Sequence, residues 1–179
     1  PVEALCGKPQ YGYTESASAA PIGPRFVRIT DIQGGRVNWE TVPYCECDEL
    51  DKYRLQTGDI LFARTGATTG KSYLVKDPPE AVFASYLIRV RRGERILPEF
   101  LWWYFQSSNY WHAVFSGTED GNRPNMNGSK LAGLEVPFPN SLETQKQIIK
   151  RLDAVRFKLS ELQRLQSETE AELASFTPA

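Results

Sequence analysis

Histidine occurs once in the 179 residues, methionine once and cysteine three times. A serine or cysteine hydrolase needs a histidine beside its nucleophile, and the single one, His112, lies inside an aromatic stretch. It reads as a core or boundary residue rather than a catalyst. A zinc site would have to recruit carboxylates. Cys6, Cys45 and Cys47 are an odd number without disulfide-framework spacing, which points to a reducing, cytoplasmic setting. Cys45-Glu46-Cys47 reads as surface or strand chemistry rather than a metal clip, because metal-ligand pairs are spaced differently. No apolar run approaches bilayer-spanning length, so no membrane is expected among the partners. Strong net charge is missing as well. At −1 the chain differs from nonspecific nucleic-acid coats, which are ordinarily strongly basic.

What is present is enough for a substantial core: 41% hydrophobic residues and 12% aromatic. One globular domain with an appendage fits this length. Pro1, in place of a start methionine, and the abrupt ending Thr177-Pro178-Ala179 lead us to expect a piece of something longer. Charge is patterned locally. Glu46, Asp48, Glu49 and Asp51 form an acidic run with no apolar pocket signal beside it. Arg89, Arg91, Arg92 and Arg95 form a basic one. A neutral protein can read DNA if its cations face phosphates, and either run alone also fits a solvated face.

Phe26-Val27-Arg28-Ile29 alternates at period two and, with Gly34-Gly35 and Val37-Asn38-Trp39, predicts a hairpin. Gly58-Asp59 launches Ile60–Ala63, a buried-strand run. Tyr73–Val75, Val82–Ala84 and Leu87–Val90 predict further strands. Leu97-Pro98-Glu99 opens a helix, proline sitting in its first turn. Phe100 to Phe115 then carries aromatics on nearly every side, as a core helix against a sheet would. Pro137-Phe138-Pro139 breaks the chain, and Asn140 with Glu143 resembles a capping box. Beyond it Ile148, Leu152, Val155, Leu159 and Leu162 step by four and three. The same register continues through the polar Gln166 and Thr169 to Leu173 and Phe176, a heptad seam. A helix over 141–176 would run about 50 Å, longer than a small domain can cover, so part of the seam needs a partner helix. Packing of its first half on the domain stays open as the alternative. The predicted class is α+β: a sheet-rich domain over 1–140 with a buried aromatic helix, then a coiled-coil-type helix over 141–179.

Gly66-Ala67-Thr68-Thr69-Gly70-Lys71-Ser72 has the look of a phosphate loop. It has three residues before Gly-Lys where that motif needs four, and a strand follows where a helix is required. A nucleotide-hydrolysing enzyme is thereby disfavoured. A glycine-permitted loop remains, presenting Arg64, Thr65, Thr68, Thr69 and Lys71, groups suited to phosphates and base edges. An ordinary hairpin loop would look similar. Asp77-Pro78-Pro79-Glu80 lacks the fourth-position aromatic of an amino-methyltransferase motif and reads as a surface turn. A second polar segment holds Asn122, Arg123, Asn125, Asn127, Ser129 and Lys130, among them the side chains that pair with adenine and guanine. A third, near the start, holds Tyr11 and Thr14. Three such segments on one aromatic-rich scaffold favour a recognition surface over a catalytic cleft.

These residues also carry a family resemblance. Tyr11-Gly12-Tyr13-Thr14, Phe26 to Ile32, Gly58 to Thr68, Arg123-Pro124-Asn125-Met126-Asn127, and Pro137–Pro139 with Leu142-Glu143-Thr144-Gln145 before a long helix fall in one order. That order resembles target-recognition domains of type I restriction-modification specificity subunits, over nearly the whole chain. The resemblance implies a non-catalytic reader of one half of a split double-stranded DNA site. A full subunit carries two such halves joined by antiparallel helices; whether this is the first or second stays open. It also implies modification subunits that methylate adenine with S-adenosylmethionine. Motor-nuclease subunits, with their ATP and Mg²⁺, join for cleavage, and no cofactor is expected on this chain itself. An orphan seam of Ile148, Leu152, Val155, Leu159, Leu162 and Leu173 is expected to self-associate. The competing reading is a helix-mediated assembly module without base reading.

Overall fold

The apolar runs build the centre of the molecule in a computed structural model that describes residues 1–116 and 126–175, with side chains to 173. Along the chain come α1 (Val2–Cys6), β1 (Gln10–Tyr11), β2 (Arg25–Val27), a 3-10 turn (Ile29–Asp31), β3 (Ile32–Gln33) and β4 (Arg36–Val37). Then follow α2 (Leu50–Tyr53), β5 (Ile60–Ala63), β6 (Ser72–Leu74), β7 (Ala81–Phe83) and β8 (Leu87–Val90). Four helices close the described chain: α3 (Pro98–Tyr104), α4 (Ser108–Phe115), α5 (Gly128–Gly133) and α6 (Leu142–Ser175). This is the expected mixture of helix and sheet with a long terminal helix.

β1, β8, β5 and β6 form one antiparallel sheet in that order. Successive strand residues point to opposite faces, and both faces here are covered, which is why β5 and β8 are almost uninterrupted apolar sequence. On one face Ile60, Phe62, Ile88 and Val90 meet Leu101, Phe105, Tyr110 and Val114 of α3 and α4. Phe62 and Phe105 pack edge to face at 4.7 Å. On the other, Leu61, Tyr73 and Leu87 meet Val27, Val42 and Phe83.

Several expectations need correction. The hairpin around Gly34-Gly35 exists, but its arms are β3 and β4. Phe26 belongs instead to β2, which pairs in parallel with β7. The aromatic stretch is two helices: the first ends at Tyr104, and Ser107 caps the next, its hydroxyl accepting from Tyr110 N at 3.4 Å. Their inward side is buried as expected, whereas His112 is exposed, so it is neither a core nor a boundary residue. Ser141, not Asn140, caps α6, accepting from Thr144 N at 3.3 Å. Nor is the basic run one surface. Arg89 is 2% exposed, and its guanidinium donates to Asp59, to the Arg54 and Lys52 carbonyls and to Gln10 Oε1. Burial pushes Asp59 above the usual carboxylate range and Arg89 below its ordinary value, each opposed by the charge of the other.

Candidate nucleic-acid interface

Tyr11 is placed by a close crossing. The segment Tyr11-Gly12-Tyr13 runs over the turn between β7 and β8, with Gly12 N donating to Leu87 O (3.1 Å) and Tyr13 N to Phe83 O (2.8 Å). A Cβ on Gly12 would fall inside contact distance of the Ala84 and Phe83 carbonyls, so only glycine permits the approach. Tyr13 turns inward onto Tyr53, ring centroids 5.0 Å apart. Tyr11, 41% exposed, faces the rim of the sheet.

There it meets two other sequence-predicted segments. The Arg64 guanidinium lies over the Tyr11 ring, 5.1 Å from its centroid. The Tyr11 hydroxyl accepts from Gly128 N at 2.9 Å, and Met126 N donates to Arg64 O at 3.1 Å. Three stretches distant in sequence are thus tied together at one corner by backbone and ring contacts. Arg64 Nε is buried without a hydrogen-bond partner among the described residues, so part of its donor fork is unspent. Asn127 caps α5, accepting from Lys130 N at 2.8 Å. Ser129, Lys130, Thr14 and Thr65 are exposed. Asn122, Arg123 and Asn125 lie outside the described residues.

The Gly66–Ser72 segment is a hairpin loop, since β5 precedes it and β6, not a helix, follows. Its base is clamped. The buried Tyr110 hydroxyl donates to Gly70 O, and burial raises its pKa further above the usual range, so it remains a donor. Gln106 Nε2 donates to Ser72 Oγ at 2.9 Å. Thr69 is buried and its hydroxyl donates to Gly66 O at 2.7 Å, so this side chain braces the loop from within. Lys71 remains exposed and Thr68 half-buried; both line a groove of about 650 Å³ that also takes in Trp102, Trp111 and Leu159.

Across that groove stands α6. Its first turns are rooted in the domain by Gln145, wholly buried, whose amide accepts from Leu97 N (2.8 Å) and donates to Arg95 O (3.1 Å) and Pro139 O (2.9 Å). Trp103 Nε1 donates to Asp153 at 3.0 Å, and Arg156 lies over Trp102. Most of the seam is exposed, with Leu152, Val155 and Leu159 lining the groove. Ile148 is half-buried, but Val155, Leu159, Leu162 and Leu173 are all more than half exposed and Leu152 is also exposed. The domain therefore grips the helix mainly by other residues and leaves Leu152 to Leu162 largely exposed.

Sequence reasoning missed Tyr86, an exposed aromatic in the turn between β7 and β8 whose carbonyl accepts from Arg64 N. Its signal was local: a large ring interrupting two buried-strand runs. Among the described residues, no cluster of three or more His, Cys, Asp and Glu could hold a metal, and no helix is long and apolar enough to cross a membrane.

Comparison with known proteins adds a family. Residues 21–172 match the model of the type I restriction modification DNA specificity domain. The EcoKI specificity subunit of Escherichia coli K12 is 24% identical over 160 residues, covering 84% of this chain and 34% of that protein. The MjaVIII specificity subunit of Methanocaldococcus jannaschii is 30% identical over 155 residues, covering 82% and 36%. The chain thus spans about a third of the length of these relatives. In fold it is similar to the HsdS subunit of Thermoanaerobacter tengcongensis, with a TM-score of 0.74 at 20% identity, over 96% of this chain and 40% of that one. A type I S subunit from M. genitalium gives 0.59 at 13% identity, over 97% and 42%.

Proposed function

The chain belongs to the type I restriction-modification DNA specificity family, and from that premise we propose that it reads one half of a split site in double-stranded DNA. The observation that carries this reading is the convergence of Tyr11, Arg64 and the 126–130 segment at one corner of a rigid sheet. Donors, hydroxyls and cations held there by backbone bonds meet a duplex without first having to be ordered. Binding then costs less conformational entropy than it would from free loops. Lys71, exposed beside that corner, serves backbone phosphate, which positions but does not specify.

The chain performs no chemistry itself in this reading. Modification subunits carry S-adenosylmethionine and methylate adenine, and the motor-nuclease subunit brings ATP and Mg²⁺; all act in the cytoplasm. The exposed seam from Leu152 to Leu162 takes the helix of the other specificity half, or of a second copy when that half is missing. Assembly through α6 alone, without base reading, is the weaker account, because it leaves the gathered recognition segments without a role.

The test is duplex binding by the chain assembled with its modification subunits. Lys71→Ala should weaken binding about evenly across sequences and lower the salt slope by about 1, whereas Arg64→Ala should also blur one position of the site. Unchanged affinity and unchanged site choice in both variants would remove these loops from the interface.

A further inference from the structure

Tyr86 lies in the turn between β7 and β8, bonded through its carbonyl to Arg64 of the proposed reading corner. It is 62% exposed although Ala84 and Leu87 on either side of it are buried. Single exposed aromatics are common and carry no meaning alone. Here the neighbours carry it. Tyr11 pairs with Ile88, and Ile88 with Phe62, so these three share one face of the sheet. Just past the last pair of that ladder, Ala63 with Leu87, Arg64 N donates to the carbonyl of Tyr86, which sits in the turn, at 3.1 Å. Ile88 and Phe62 are covered by the helices, but Tyr86 is not. An exposed aromatic is therefore tied through its backbone to Arg64, whose guanidinium lies over Tyr11 with its Nε unpartnered among the described residues.

Resting on the reading of this chain as a DNA reader, we propose that Tyr86 is a specificity-determining residue that packs its ring on a thymine C5-methyl group, next to the base or phosphate that Arg64 engages. In the major groove that methyl is the one apolar feature distinguishing thymine, and flat apolar side chains are suited to it. The backbone of Tyr86 is fixed by Arg64 N at the head of β8, so contact orders little beyond the side chain itself. Its exposure makes the position tolerant: removing the ring deletes little packing, and the fold survives the test.

A preferred duplex is first selected from a random-sequence library with the wild-type chain assembled with its modification subunits. Tyr86→Ala should weaken binding to that duplex roughly fivefold or more and lose a thymine preference at one position. Uracil at that position should weaken the wild type and leave Tyr86→Ala unaffected, a coupling expected only of direct contact. 5-Iodouracil there should photo-crosslink to Tyr86. If Tyr86→Ala selects the same site with the same affinity, the inference is overturned while the DNA-reading function stands. Weakened binding without coupling to the methyl group, or a crosslink elsewhere, overturns it too. A wild-type complex that selects no sequence sinks the function and this inference together.

Discussion

Gly12→Ala adds one methyl group and should cost both stability and recognition. The added Cβ lands inside contact distance of the Ala84 and Phe83 carbonyls. An ordinary C···O separation is about 3.3 Å, so the segment must lift by about an ångström. Two bonds pay for that lift, Gly12 N to Leu87 O and Tyr13 N to Phe83 O. At roughly 0.5–1.5 kcal/mol each, the loss is about 1–3 kcal/mol, which a domain of ordinary stability survives. Tyr11 moves with the segment, and with it the Gly128 N bond and the Arg64 stack. Binding constellations tolerate about 0.5 Å of misplacement, and one lost base contact costs roughly 1–3 kcal/mol, about five- to 150-fold in Kd. Urea unfolding gives the first quantity and fluorescence anisotropy with the preferred duplex the second. Gly133→Ala is the control, since a Cβ there meets nothing within 4 Å. If Gly12→Ala matched Gly133→Ala in both assays, the crossing would not be what positions Tyr11.

Other consequences follow from burial and from the seam. Asp59→Ala strands the buried Arg89 charge and should cost about 3–5 kcal/mol, whereas Glu80→Ala, which breaks the exposed pair with Arg54 at 3.1 Å, should change urea stability by less than about 1 kcal/mol. Burial pushes the Cys45 thiol from 9.0 up to about 12. The native state therefore holds a proton that the unfolded state releases. Stability from this group is full below pH 9 and declines as pH rises towards 12, and Cys45→Ala should flatten the alkaline limb of a stability–pH profile. Leu159→Asp and Leu162→Asp place charge on the open seam. Both should abolish self-association in analytical ultracentrifugation while leaving the circular dichroism of the domain intact, and a variant that still dimerised would move the interface elsewhere.

The elements that could be read locally were read correctly: the apolar runs of β5 to β8, the Pro98 helix start and the long helix α6. Non-local pairing was invisible. Phe26-Val27 alternates as a hairpin arm would, yet its partner is β7, more than fifty residues on, and no local pattern marks a parallel pair. Ser107-Ser108-Asn109 did signal a helix restart inside the aromatic stretch, but the aromatics on every side masked it. Arg89 looked solvated because it sits among other arginines. Its acceptors come from Gln10, Lys52, Arg54 and Asp59, all far from it in sequence. The polar segments of the site could be found by residue type. Their convergence could not, because it depends on the strand order β1, β8, β5.

That strand order also fixes how the loop after β5 and the long helix are connected. The loop is held at Gly70 and Ser72 by Tyr110 and Gln106. The helix carrying Trp102 and Trp103 in turn holds α6 through Asp153 and Arg156. Loop and long helix therefore share one brace, formed by α3, α4 and the polar residues between them. Interiors packed at protein density transmit displacement rather than absorb it, so the angle of α6 and the position of the loop are set together. A partner helix laid along the open seam would thus orient Lys71 and Arg64 relative to itself without touching them. In a reader of split sites, that rigidity is what would make the distance between two half-sites as specific as the bases within each.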